Sequence, residues 1–341
     1  MKTGGIAIVG GESLMGREVR ELLAESKVPG PVTLIGVGED AATLSVDRGE
    51  AVVITPLDVD SLLRAPVAFL AGSAASSRKA LALAGASKVG PVLIDLSHAL
   101  EDDPSARLRA PVVEPAGFAI PPKTIHVVAH PAAISLALFL GRLHSGCPVR
   151  RSVIHIFEPA SERGQRGLDE LQKQTANLFA FQPLPKEVFD AQLSFNMLSS
   201  YGSDAPEALS SIELRIERHL ATLLAAGGRV PMPSLRLVQA PVFHGYSFSA
   251  RVEFEGKPAA AAIAAALASP MVDMRDGDLD PPSNVGVAGQ SGITVGSVEP
   301  DRNDAAAWWF WIAADNLRIA AENALAVWRS VPPRRGSRIT G

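Results

Sequence analysis

Through its first 131 residues the chain alternates short, β-branched apolar runs with stretches of helical spacing, a rhythm that predicts βαβ units around a parallel sheet. The predicted strands are Ile6 to Val9, Val32 to Val37, Ala51 to Ile54, Val67 to Ala71, Val92 to Asp95 and Ile125 to Val128. Between them, Leu14, Val19, Leu22 and Leu23 recur near the helical period over Leu14 to Ser26. Ala75 to Ala86 is rich in strong helix formers, so both stretches are crossover helices. Pro111, Pro115, Pro121 and Pro122 exclude a helix interior between them and predict an extended connection.

Beyond Pro131 the pattern changes. Helices are predicted at 132–144, 164–179 and 205–225, with an Ala-rich one at 258–268. Strands are predicted at 150–158, 234–240, 247–254, 293–298 and 307–314. Long strands beside helices, without strict alternation, imply an α+β second domain, and Asp315 to Arg329 forms a closing helix. The expected division is 1–131 with 315–341 as a Rossmann-like, doubly wound domain, and 132–314 as the α+β domain. Trp308, Trp309, Phe310 and Trp311 are consecutive in the last strand, so aromatic surface faces both sides of its sheet. One side covers the core; the other meets a subunit partner or a helix layer of the same chain. Arg334, Arg335 and Arg338 mark a solvated tail.

Composition narrows the function. The 341 residues carry 32 Lys+Arg against 36 Asp+Glu, a net charge of −4, so no overall positive field recruits nucleic acid or acidic lipid. One cysteine, Cys147, makes neither an internal disulfide nor a structural zinc site. No apolar stretch reaches the ~18 residues of a membrane span, and the first residues lack a signal-peptide layout. The expected compartment is the cytoplasm.

Ile6 to Gly16, reading IAIVGGESLMG, follows a strand and opens a helix, the setting in which glycines let backbone approach a pyrophosphate. Gly10, Gly11 and Gly16 serve the turn and the helix packing, Leu14 and Met15 begin the helix, and Ser13 fills a position that often needs glycine. A tight βα turn without a ligand accounts for the same residues. Gly38, Glu39 and Asp40 follow the second strand, where an acid accepts from a ribose 2′-hydroxyl or repels a 2′-phosphate. NAD is favoured over NADP on that ground.

Taken in order, several segments from residue 5 to about 327 resemble the aspartate-semialdehyde dehydrogenase family. The glycine loop at Gly10 to Gly16 is followed by an Ala-Gly-Ser turn at Ala71, Gly72 and Ser73, and by Asp95-Leu96-Ser97-His98-Ala99 for Asp-x-Ser-x-Ala. His130-Pro131-Ala132-Ala133 is similar to the family's Asn-Pro-Asn-Cys active-site turn, and Ser161 to Gly164 to its Ser-Gly-Ala-Gly. Phe195-Asn196, Pro241 to Ser247 for Pro-Val-x-x-Gly-His-Ser, and Asp315 to Arg318 for Asp-Asn-Leu-Arg complete the series. The resemblance implies a Rossmann domain holding NAD or NADP, with Ala71, Gly72, Ser73 and Asn316 among its contacts. It also implies a second domain for catalysis and dimerisation, and thioester chemistry on a four-carbon aldehyde.

The departures from the family pattern bear on activity. Ala133 stands for the nucleophilic cysteine and has no heteroatom to form a thioester. Tyr246, with an ordinary pKa near 10, stands for the general-base histidine. Glu158 replaces a glutamine near the reacting centre, Glu101 an arginine for phosphate, and Gln239 the arginine for substrate carboxylate. No lysine lies between Lys186 and Lys257. Losing an arginine fork removes charge-assisted hydrogen bonds about twice as strong as neutral ones. Cys147, fourteen residues after Ala133, sits at the wrong end of the intervening helix to replace the thiol. His130 abuts the altered turn and is expected to face the old pocket with Tyr246 and Glu158, His244 being a further candidate; a metal site there lacks a metal-binding spacing. His98, His126, His155 and His219 serve structure or face solvent, and Asp315 or Asn316 caps the last helix.

The expectation is a catalytically inactive homologue, a homodimeric scaffold or regulatory protein that binds NAD(P), with mixed dimers with the active enzyme as a further partnership. The alternative is an NAD(P)-dependent oxidoreductase on another aldehyde or ketone, with Tyr246 or His130 as acid and no covalent intermediate.

Overall fold

The computed structural model describes residues 5–28, 30–37, 43–47, 50–85, 90–121, 123–228, 230–275 and 279–331. Glu39, its neighbours Gly38 and Asp40, and the Arg334, Arg335 and Arg338 tail lie outside the described residues. The chain divides into two compact units, one of Met1–Pro111, Phe118–Ala129 and Ala321–Gly341, the other of Val112–Gly117 and His130–Ala320.

The first unit contains β1 (Ile6–Val9), α1 (Leu14–Glu25), β2 (Val32–Ile35), β3 (Thr43–Asp47), β4 (Glu50–Thr55) and α2 (Val59–Leu63). It continues with β5 (Val67–Leu70), α3 (Ala74–Gly85), β6 (Val92–Asp95), β7 (Ala106–Arg109) and β8 (Ile125–Val128). Its eight strands run in the order β3-β4-β2-β1-β5-β6-β8-β7, all pairs parallel except β3 with β4. The order reverses around β1, which lies between β2 and β5 and is followed by the glycine turn. That is the switch-point position at which doubly wound sheets bind ligands. Residues of β1 are buried throughout, and Val9, Ile35, Leu70, Leu93 and Val127 meet in one core. A continuous apolar run is what a parallel strand covered on both faces requires.

Every strand expected in this unit is present. Beyond them the structure adds β3, β7 and the short α2. Among its described residues the proline-rich stretch after Pro111 has no helix, as expected, and carries turns at 111–113 and 116–117.

The second unit opens with α4 (Pro131–Gly146), β9 (Val149–Glu158), a 3-10 turn at Ala160–Arg163, α5 (Gly164–Phe179) and α6 (Leu209–Ala226). Then come β10 (Ser234–Gln239), β11 (Tyr246–Phe254), α7 (Ala260–Leu267), β12 (Val272–Arg275), β13 (Ile293–Pro300) and β14 (Ala307–Ala314). The closing helix α8 (Asn316–Ser330) has Asp315 as its cap, whose Oδ1 accepts from Leu317 N at 2.9 Å and Arg318 N at 3.0 Å. The mixed six-stranded sheet has the order β10-β9-β11-β14-β13-β12.

Alternation gives this sheet two different faces. Ile154, Ile156, Phe248, Ala250, Phe310 and Ile312 are buried on one, where Phe139 of α4 packs edge-on to Phe310 at 5.1 Å. Helix α4 is buried from Pro131 to Leu140, so its apolar character on all sides reflects burial rather than a single stripe. On the other face His155 and Val153 are exposed, and Trp309 is 40% exposed. Register aligns Val153 with Arg251 and Arg251 with Trp309, and His155 with Ser249 and Ser249 with Trp311. Among the described residues this face carries no helix layer of its own chain, so the second of the two expected coverings is not what the fold provides.

Candidate functional site

In the first unit, the glycine turn is dictated by backbone contact. Gly10 has φ +80°, and a Cβ added there would lie 2.3 Å from Gly72 Cα; a Cβ on Gly16 would lie 2.2 Å from the Gly10 carbonyl oxygen. Ser13, the expected oddity of the loop, is the N-cap of α1. Its Oγ accepts from Gly16 N at 2.9 Å and donates to Ala71 O at 2.7 Å, tying the turn after β1 to the turn after β5. Ser73 plays the same part for α3, its Oγ accepting from Ser76 N at 3.2 Å. The N–H groups of Leu14 and Met15 find no acceptor among the described residues. Two free donors at the positive end of a 12-residue helix fit a dinucleotide phosphate. Glu12 adds a negative charge in the same turn: Oε1 accepts from Val37 N at 3.3 Å, and Oε2 is buried without a hydrogen bond.

In the second unit, α4 begins where the resemblance puts the active-site turn. His130 is its N-cap, and Pro131 takes the first helical position, where a missing N–H interrupts no helix bond. His130 Nδ1 accepts from Ala132 N at 3.3 Å, which leaves the ring proton on Nε2, 3.7 Å from Glu162 Oε2. The His130 backbone N–H donates to His219 Nδ1 at 3.0 Å. Ala133 lies in the first turn of α4, fully buried, and presents a methyl group.

Around that turn the ends of β9, β10 and β11 gather a buried polar cluster. Tyr246 O–H donates to Glu158 Oε2 at 3.4 Å; its ring stacks on Phe248 at 5.5 Å and lies 6.1 Å from the His130 ring. Glu158 Oε1 is 3.4 Å from Arg163 Nη2, and Arg163 also pairs with Glu207 at 2.6 Å, which Arg215 shares at 2.9 Å. Asn316 Nδ2 donates to Glu162 at 2.7 Å while its Oδ1 accepts from Gly245 N at 3.0 Å. Gln239 Nε2 donates to the carbonyls of Glu158 and Ala240, and Tyr201 O–H donates to Gln239 Oε1 at 2.6 Å.

Two carboxylates, Glu158 and Glu207, thus share Arg163, and Arg215 also pairs with Glu207, while Glu162 is held by Asn316 and faces His130. Burial pushes Glu158 up to about 7, against the pull of Arg163 and with added repulsion from Glu162 and Glu207. Burial raises Glu162 as well, while for Glu207 Arg163 and Arg215 outweigh burial and lower the pKa. Tyr246 is held well above its ordinary pKa by burial and by the charge of Glu158 and Glu162. The arrangement stores a proton near neutrality and turns its polar atoms toward one another.

The structure therefore brings His130, Glu158, Gln239, Tyr246 and Asn316 together in one unit. His244 shows no contact with this cluster among the described residues. Glu101 belongs to the first unit, in the turn that follows β6. Cys147 is the buried C-cap residue of the 16-residue α4, and burial raises its thiol pKa. His126 is neutral, its pKa lowered to about 4 by burial and by Arg109, whose guanidinium donates to Nδ1 at 3.0 Å.

Sequence reasoning missed Glu162, Arg163, Tyr201, Glu207 and the role of His219. A signal existed for the first two: Ser161 to Gly164 resembles Ser-Gly-Ala-Gly, yet its two inner positions are Glu162 and Arg163. Charged side chains where the pattern has almost none must occupy space. The other three come from segments that only tertiary folding brings near.

Comparison with known proteins agrees with this geometry. Residues 140–319 match the family model described as semialdehyde dehydrogenase, dimerisation domain. The chain is 30% identical over 335 residues to a USG-1 protein homolog of Pseudomonas aeruginosa, covering 93% of this chain and 94% of that one. It is 27% identical over 325 residues to the aspartate-semialdehyde dehydrogenase of Rickettsia bellii, with the same coverage. The solved structure of a probable aspartate-semialdehyde dehydrogenase from Pseudomonas aeruginosa superposes with a TM-score of 0.82 at 28% identity, covering 96% of this chain and 98% of that one. The fold is that of a two-domain semialdehyde dehydrogenase. The chain belongs to the aspartate-semialdehyde dehydrogenase family.

Proposed function

We propose that this family member is a non-catalytic homodimer that binds a nicotinamide nucleotide and acts through regulation or assembly. The observation that carries the reading is Ala133: at the start of α4, where the resemblance requires a thiolate, the side chain is a buried methyl group. A thioester needs a thiol, and Cys147 lies at the opposite end of α4 from Ala133. Gln239 and Asn316 are held by internal hydrogen bonds, and Arg163 is neutralised by Glu158 and Glu207.

Nucleotide binding is supported by the free Leu14 and Met15 amides at the switch point of the first sheet. Dimerisation is supported by the match to a dimerisation-domain model and by the open face bearing Val153 and Trp309. The alternative oxidoreductase would have Tyr246 surrender a proton that burial beside Glu158 holds more tightly than usual.

Purified protein assayed for phosphate-dependent NADP reduction with aspartate semialdehyde should show no turnover above a protein-free control; turnover abolished by Tyr246→Phe would overturn the reading. Titration with NADH and NADPH, read as quenching of tryptophan emission, should saturate, and native mass analysis should give a dimer.

A further inference from the structure

A cleft of about 160 Å³ in the second unit is bounded by the C-terminal halves of α4 and α6 and by Val112 and Val113. Three observations there have no account in the fold. Gly141 lies in the interior of α4, where glycine is less favourable than alanine by about 1 kcal/mol. No close approach explains it, because an added Cβ would meet no atom of the described residues within 4 Å. Arg142, the next residue, has a buried Nε–H without a hydrogen-bond partner, while Nη2 donates to Ala268 O. A buried, unpaired guanidinium N–H is costly unless something accepts from it. Finally, the walls beside Arg142 are mainly apolar, Val113, Leu138, Leu223, Leu224 and Val230 with Ser145 beside them, and among the described residues no acidic residue lines the space.

A hole of this size holds a molecule about as large as benzene. Mainly apolar walls with a cation and, among the described residues, no anion select an apolar anion, because the guanidinium replaces the water that a carboxylate loses on entry. We propose that the α4–α6 cleft binds a short aliphatic carboxylate of about five or six carbons, its carboxylate on Arg142 and its alkyl chain over Gly141 against Leu138, Leu223 and Leu224. The site is separate from the polar cluster at the other end of α4 and does not depend on whether that cluster catalyses anything. It is joined to it by the helices: Ala137 follows Ala133 by one turn, and Leu223 follows His219 by one turn.

The test is calorimetric titration of the full chain with 4-methylpentanoate and with its uncharged amide, beside folding controls by thermal melting. Wild type should bind the acid with a Kd on the order of 0.1–1 mM and the amide at least about tenfold more weakly. Arg142→Gln should lose that preference for the acid. Gly141→Leu, whose side chain enters the open space, should abolish binding of both and leave the melting temperature equal or higher. No heat of binding in wild type up to about 10 mM, a range that covers ligands of this size, overturns the proposal. So does unchanged acid binding in folded Arg142→Gln or Gly141→Leu protein, which would place the ligand elsewhere.

Discussion

Two strand-to-helix junctions, Gly10–Gly16 between β1 and α1 and Glu158–Gly164 between β9 and α5, show opposite kinds of constraint. At the first, small residues are enforced by backbone: a side chain on Gly10 or Gly16 would collide with main-chain atoms at 2.3 and 2.2 Å. At the second, Gly164 has φ +65° but open space around it, and the two preceding positions carry Glu162 and Arg163. The comparison teaches that smallness required by the fold's own backbone persists. Smallness that leaves room for something else can be filled by charge if the charges find partners.

The sharpest way to break this contrast is to add one methyl group on each side of it. Gly16→Ala should destabilise the protein by about 4 kcal/mol or more, since backbone on both sides must shift. Gly164→Ala should cost about 1–3 kcal/mol, the backbone strain of a side chain at φ +65° and ψ −159° with no collision added. Urea denaturation of the two variants decides it, and equal losses would end the distinction.

Next in size is the cation of the second junction. Arg163→Met removes the guanidinium shared by Glu158 and Glu207, leaving buried negative charge uncompensated, and should cost about 3–5 kcal/mol at pH 8. The loss should shrink at pH 5, where Glu158 carries its proton. A loss independent of pH would mean that packing, not charge, is what Arg163 contributes.

The proton itself gives the third test. Glu158 has its pKa raised from 4.5 to about 7 in the folded state, so between those values the folded protein binds more protons than the unfolded chain. Stability from this group is full below about pH 4.5 and is lost as pH rises through about 7, by up to about 3 kcal/mol. Glu158→Gln should remove that slope, so the difference in stability between variant and wild type should move in the variant's favour from pH 5 to pH 8. A flat difference would show that Glu158 is not the group holding the proton.

The parts of the molecule legible in sequence follow the same division between backbone demand and tertiary circumstance. Central strands such as β1, β5 and β6 were readable because burial on both faces writes a continuous apolar run. The strands that pattern did not reveal, β3, β7 and β12, are all edge strands. Ala106–Arg109 reads Ala-Arg-Leu-Arg and Val272–Arg275 reads Val-Asp-Met-Arg, charge on an edge being what keeps it from pairing with another chain. In the site, Ala133 and Tyr246 were visible as departures from a familiar pattern. The polar network around them was not, since the pairs Tyr201–Gln239, Glu207–Arg163 and His219–His130 join groups 38 to 89 residues apart.

The smallest effect concerns Ser13, the one loop residue whose role the sequence leaves open. If its hydroxyl works as a cap, Ser13→Ala should cost about 1 kcal/mol and Ser13→Gly only a few tenths of a kcal/mol, because both lose the bonds to Gly16 N and Ala71 O but glycine still accepts the cap geometry. On the proposed nucleotide reading, in which the Leu14 and Met15 amides rather than the side chain hold phosphate, NADH affinity should then stay within about twofold in both variants. An affinity loss of tenfold or more, at unchanged stability, would move the hydroxyl from the fold to the ligand and place this junction with the second kind rather than the first.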